Sequence, residues 1–113
     1  MIFAVDFDGT VVEHKYPEIG LEIEGAVQTL SDLQRRGHKI IIWTCRAGED
    51  LCKAKCWLAR RGFFADKYNE NMKLEWTPES PKIYADVYLD DRNFPPFKGW
   101  DEVRRVFLEG GRQ

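Results

Sequence analysis

The chain has 113 residues and a mass of 13.2 kDa, 43% of them hydrophobic and 32% charged. That is one domain, 1–113, with enough apolar material for a core and too much for a disordered segment. Seventeen basic and nineteen acidic residues leave a net charge of −2 and a pI near 5.7, which excludes a general nucleic-acid-binding surface. No apolar run nears the ~18 residues of a membrane span, and Met1 leads straight into IFAVDFD. A cytoplasmic protein with no membrane partner is expected, its three cysteines reduced.

In chain order, Ile2–Phe7 is an apolar run with no helical period, stopped by the turn signal Asp8-Gly9, and reads as a buried strand. Thr10–Gly20 is polar and broken by Pro17, a loop or small flap. From Leu21 to Arg36, Ile23, Val27, Leu30 and Leu33 fall at helical spacing, with Gly37 as the stop. Lys39–Thr44 (KIIIWT) reads as a strand covered on both faces. Glu49–Arg61 forms a second helix closed by Gly62, and Phe63–Lys67 a third strand. Tyr68–Lys82 is a polar loop in which Pro78 and Pro81 bar a long helix. Ala85–Leu89 is a fourth strand, and Trp100, Val103, Val106 and Phe107 outline a closing helix capped by Gly110-Gly111. The alternation predicts an α/β fold, a helix-covered, mainly parallel sheet of about four strands. Right-handed crossovers give the order 3-2-1-4.

In such sheets ligands bind beyond the carboxyl ends of the strands, where strand order reverses. Here that point falls between strands one and four. Asp6 and Asp8 end one strand; Asp90 and Asp91 end the other. Asp6 and Asp8 are two apart, so both point the same way on an extended end. Four acids in one crevice repel, and a cation relieves them; oxygen-only donors suit Mg²⁺. Gly9 lets the chain turn and backbone amides approach an anion, and Thr10 follows in the same turn. The Thr44 hydroxyl is a candidate phosphate ligand. Arg46 and Arg92 either contact substrate or pair with surplus acids, and Asn69, Glu70 and Asn71 stand where they could line the crevice.

Asp6-Phe7-Asp8-Gly9-Thr10 after IFAV resembles the first motif of the haloacid dehalogenase superfamily of phosphatases and phosphotransferases. Thr44 closing KIIIWT is similar to the second motif, and Asp90-Asp91 after ADVYL to the acidic fourth. The resemblance implies a three-layer, Rossmann-like catalytic domain. It makes Asp6 a nucleophile that becomes an aspartyl-phosphate, and Asp8 the general acid and base whose backbone carbonyl touches Mg²⁺. It makes Thr44 the phosphate ligand, and Asp90 with Asp91 the acids completing the metal site. Small members place the third-motif lysine where Lys82 stands. Eight residues before Asp90 on an extended strand would put Lys82 about 26 Å from the site. Lys73, in the loop after strand three, starts at the correct end and is the geometric alternative. Val11–Gly20 and Tyr68–Lys82, where larger members carry caps, are too short to fold alone, which implies a capless member.

The plainer readings set beside these are packed, reduced thiols for Cys52 and Cys56, a surface residue for His14, and core positions for the closing helix. Trp57, Phe63, Phe64 and Trp76 could form an apolar patch. The expected activity is a Mg²⁺-dependent phosphomonoesterase acting on a phosphorylated substrate. The alternatives are phosphotransfer to an acceptor other than water and a receiver-like phosphate-binding module without turnover.

Overall fold

The computed structural model describes residues 1–75 and 79–109. Trp76 and Pro78, and the Gly110-Gly111 cap expected after the last helix, lie outside the described residues. The elements are β1 (Ile2–Val5), α1 (Ala26–Arg35), β2 (Lys39–Ile42), α2 (Gly48–Arg60), β3 (Lys67–Tyr68), β4 (Val87–Leu89) and α3 (Trp100–Arg104). A π-helical turn, Arg105–Glu109, continues α3.

The four strands form one sheet in the order β3-β2-β1-β4, all parallel, as the crossover argument predicts. Ala4 sits between Ile41 and Tyr88, so β1 is satisfied on both edges. Alternate residues of each strand face opposite ways. Phe3, Val5, Ile40, Ile42 and Leu89 join one buried cluster with Leu30 and Leu33 of α1, Trp57 and Leu58 of α2, and Trp100 and Val103 of α3. Phe3, Leu30, Leu33 and Leu58 are fully buried, worth about 1.5–3 kcal/mol each. Ile2, Ala4 and Ile41 face the other way, against Ile83, Ala85, Met72 and Tyr88.

The expectation of helices on both faces is therefore corrected. Among the described residues, all three helices bury their apolar sides in the same cluster, and the segment returning from β3 to β4 covers the opposite face. Polar composition and Pro81 keep that segment from forming a covering helix.

Three boundaries also move. The first helix begins at Ala26, not Leu21, because residues 21–23 pair with residues 11–13: Glu13 N donates to Leu21 O at 2.8 Å and Ile23 N to Val11 O at 2.9 Å. Glu22 then caps α1 by accepting the Val27 amide at 3.0 Å. Instead of Phe63–Lys67, the third strand is only Lys67–Tyr68, since Phe63 is spent on the buried turn after α2. The fourth strand starts at Val87, because Asp86 turns the chain in by taking the Ile2 amide on its carboxylate at 2.7 Å.

Cys52 and Cys56 do share a face of α2, but it is the exposed one; Ala54, Trp57 and Leu58 hold the inner face. All three cysteines are free thiols. Trp57 and Phe63 are buried and Phe64 is exposed, so those aromatics make no common patch. Among the described residues no helix is long and apolar enough to cross a membrane.

Candidate functional site

Past β1 the ladder continues for one more residue, the Asp6 amide donating to Leu89 O at 2.9 Å. This sets Asp6 beside the start of the turn after β4. The Phe7 carbonyl accepts the amides of Thr10, Val11 and Val12, so the chain reverses tightly around Gly9. Gly9 has φ +94°, and a Cβ there would overlap the Asp91 carboxylate, so conformation and space both demand glycine. Buried Thr10 ties the two turns together. Its hydroxyl donates to Asp6 Oδ2 at 3.3 Å and accepts the Asp91 amide at 3.1 Å. Its carbonyl accepts Trp100 Nε1–H at 2.9 Å, which anchors the turn to α3.

Asp6, Asp90 and Asp91, all half-buried, each offer a carboxylate oxygen, and the three oxygens lie within 4.8 Å of one another. Burial, the Asp90 charge, and the hydrogen bond and charge of Asp91 push the Asp6 carboxyl up from 3.8 to about 8, against a smaller opposing effect of Thr10. An oxygen-only donor set whose members resist ionising together suits a hard divalent cation.

Asp8 has a different environment. Arg46 forks onto it, Nε to Oδ2 and Nη2 to Oδ1, both at 2.8 Å. The pair is well covered, with Arg46 1% exposed, and donating its hydrogen bonds to Asp8 holds the guanidinium above its ordinary range. Arg46 also donates to the carbonyls of Pro17 at 3.1 Å, Glu18 at 3.0 Å and Asp50 at 3.4 Å. Just past β2 the Thr44 hydroxyl accepts the Arg46 amide at 3.1 Å, and among the described residues its own proton has no acceptor. Asn69 sits in the left-handed region at φ +55° and clamps this turn, taking the Thr44 amide at 2.8 Å and donating to Arg46 O at 3.4 Å.

These groups surround a cavity of about 390 Å³. Asp6, Asp8 and Asp90 line it together with Thr44, Cys45 and Arg46, with His14 and Tyr16 from the flap, and with Arg92.

No protein-family model matches the chain. Among curated proteins it is 30% identical over 125 residues to the valine–tRNA ligase of Pyrococcus furiosus and 29% to that of Pyrococcus abyssi. Each match takes in 95% of this chain but spans only 13% of the ligase. Among solved structures, a conserved protein from Bacteroides thetaiotaomicron superposes with a TM-score of 0.86 at 43% identity, covering 93% of this chain and 87% of that one. The chain belongs to the family of that Bacteroides protein.

In this member of the Bacteroides family the residues singled out by sequence divide into three groups. Asp6, Gly9, Thr10, Asp90 and Asp91 come together as one unit, with Thr44 lining the same cavity as Asp6 and Asp90. Asp8 and Arg46 lie beside them but bind each other. The Asp8 carboxylate lies outside the acidic trio, and the metal contact that the resemblance gives Asp8 is its backbone carbonyl. Five polar contacts engage the Arg46 side chain, two of them with Asp8, so it is a partner for a surplus acid on the lining of the same cavity.

The two lysines form the third group. Lys73 lines a separate cavity of about 480 Å³ with Asn69, Asn71 and Ile83. Lys82 is exposed, and neither lysine lines the acidic cavity. The backbone around Lys82 is nevertheless at the carboxyl end of the sheet. Asn71, three residues beyond β3, donates to Lys82 O at 3.1 Å and accepts the Tyr84 amide at 2.6 Å. The 26 Å separation on an extended strand does not apply, because residues 82–86 are not strand. The sequence reading passed over the tie from Trp100 to Thr10, the clamp role of Asn69 and the place of His14 and Tyr16 on the rim. Of these, only an asparagine at a strand end carries a local signal, its tolerance of positive φ.

Proposed function

We propose that the chain is a Mg²⁺-dependent phosphomonoesterase of the capless haloacid dehalogenase type, working through an aspartyl-phosphate on Asp6. The observation that carries this is the convergence of Asp6, Asp90 and Asp91 oxygens within 4.8 Å at the strand-order reversal, on the wall of a cavity that Thr44 also lines.

Asp6, Asp90 and Asp91 would hold the cation, joined by the Asp8 backbone carbonyl as the resemblance implies. Bound there, Mg²⁺ supplies charge neutralisation between attacking carboxylate and phosphate. Asp6 Oδ attacks phosphorus as the bond to the leaving oxygen breaks, and that oxygen takes the electron pair and a proton from Asp8. Water then attacks the acyl phosphate while Asp8 accepts its proton, and the P–Oδ pair returns to Asp6. The free Thr44 hydroxyl proton donates to a phosphate oxygen. Lys82, by resemblance, swings in from the same end of the sheet to hold the phosphate. Residues 11–20 form the flap over the leaving group.

The test is release of inorganic phosphate from p-nitrophenyl phosphate and a panel of phosphomonoesters with and without Mg²⁺. Metal-dependent turnover that falls to background in Asp6→Asn is expected. A wild type with no turnover across the panel, or an Asp6→Asn variant with full activity, would sink the reading.

A further inference from the structure

The flap and Asp8 share one side chain. Residues 13–21 leave and re-enter the fold at almost one point. The Glu13 amide meets Leu21 O at 2.8 Å, and Gly20 lies so close to Glu13 O that a Cβ would overlap it. This is a compact loop pinned at its base. The tip, Tyr16–Glu18, is exposed, and Arg46 runs beneath it.

The Arg46 side chain is 0% exposed and stands between the Phe7 and Tyr16 rings, 5.5 and 5.1 Å from their centroids. Its Nη1 donates to Pro17 O and Asp50 O; its Nη2 donates to Glu18 O and Asp8 Oδ1; its Nε donates to Asp8 Oδ2. Every guanidinium nitrogen is therefore engaged, and the same Nη2 serves both Asp8 and the flap. A planar fork fixes angle as well as distance, so the flap tip cannot lift without tilting the group that orients Asp8. Tyr16 adds a second strap, its hydroxyl donating to Asp50 Oδ2 at 3.0 Å.

We infer that Arg46 is a positioning residue that transmits the seating of the flap tip to the orientation of Asp8. A leaving group resting against His14 and Tyr16 would thereby align the acid meant to protonate it. The role of Asp8 in this inference rests on the proposed phosphatase reading; the mechanical tie between flap and Asp8 does not.

Two measurements separate these. The first needs no turnover: backbone ¹⁵N order parameters of residues 14–19 in the wild type, Arg46→Lys and Asp8→Asn. Lysine keeps the charge but cannot fork, and asparagine keeps the shape of Asp8 but loses its charge. Flap order parameters near 0.85 in the wild type should fall toward about 0.6 in both variants, with α1 unchanged. A flap equally ordered in either folded variant, or already loose in the wild type, overturns the tie. Should Arg46→Lys fail to fold, the near-isosteric Asp8→Asn gives the same reading alone.

The second measurement compares leaving groups. An alkyl phosphate needs its leaving oxygen protonated; p-nitrophenolate hardly does. Arg46→Lys should lower kcat/KM on the alkyl ester by about a hundredfold and on p-nitrophenyl phosphate far less. It should add almost nothing in an Asp8→Asn background. A uniform loss on both esters, or full additivity with Asp8→Asn, overturns the positioning role. Absence of all turnover in the wild type would instead refute the phosphatase reading and leave the order parameters to decide the tie.

Discussion

Asp6 and Asp8 sit two residues apart at the end of one strand, yet the fold treats them oppositely. Asp6 faces Asp90 and Asp91, and its carboxyl is pushed up to about 8 by burial and by those like charges. Asp8 faces Arg46, which binds both of its oxygens. One carboxylate is left in a repulsive environment; the other has a paired one. The difference teaches where to look for a ligand. A charge that the protein itself compensates is held in one orientation, whereas one left uncompensated awaits something from solution.

The largest expected effect tests the paired side. Asp8→Asn leaves a buried guanidinium with half its partner and should destabilise the fold by about 3 kcal/mol in denaturant unfolding. Asp6→Asn removes repulsion and should raise the melting temperature of the metal-free protein. If both substitutions shift stability in the same direction, the contrast between the two acids is lost.

Mg²⁺ should come next. It should raise the melting temperature of the wild type measurably and that of Asp90→Asn little, with EDTA reversing the gain. Equal shifts in both would place the ion elsewhere. The pH dependence follows from the raised Asp6 carboxyl. Between pH 4 and 8 the folded metal-free protein binds more protons at Asp6 than the unfolded chain does. Its contribution is therefore fully present near pH 4 and is lost as pH climbs through about 8. Melting curves of wild type and Asp6→Asn across that range should converge at low pH, with the variant ahead at high pH. Parallel curves would remove Asp6 as the titrating group. The smallest effect belongs to Trp100→Phe, which deletes the indole bond to Thr10 O and should cost about 1 kcal/mol with the acidic trio intact.

Strand order and the meeting of Asp6 with Asp90 and Asp91 are legible in the sequence for a shared reason, though Asp8 is expected among them there. Apolar runs ending in Asp mark a strand's carboxyl end, and crossover handedness does the rest. What escaped depended on contacts distant in sequence. Ile23 keeps helical spacing with Val27, yet residues 21–23 are spent pairing with 11–13. Cys52 and Cys56 were placed on one face correctly, but which face turns inward is settled by Trp57 against Phe7, their rings 5.8 Å apart. The resemblance and the extended-strand arithmetic disagreed over Lys82 because Asp86 bends the chain before β4, through a bond to a residue 84 positions away. For Arg46 the sequence leaves both a substrate contact and a partner for an acid open, and the fold supplies the acid, Asp8, from 38 positions away.

β1 lies at the centre of the sheet, flanked by β2 and β4, and its Val5 partners Leu89. Those residues are 84 positions apart in the chain. At a ribosomal pace of about 5–20 residues per second, IFAV waits roughly 4–17 s for its second edge. Over that interval one side of the nascent strand is bare, and the acidic trio does not yet exist. The earliest apolar segment of the domain thus gains its second edge late, in the same step that brings Asp90 and Asp91 to Asp6.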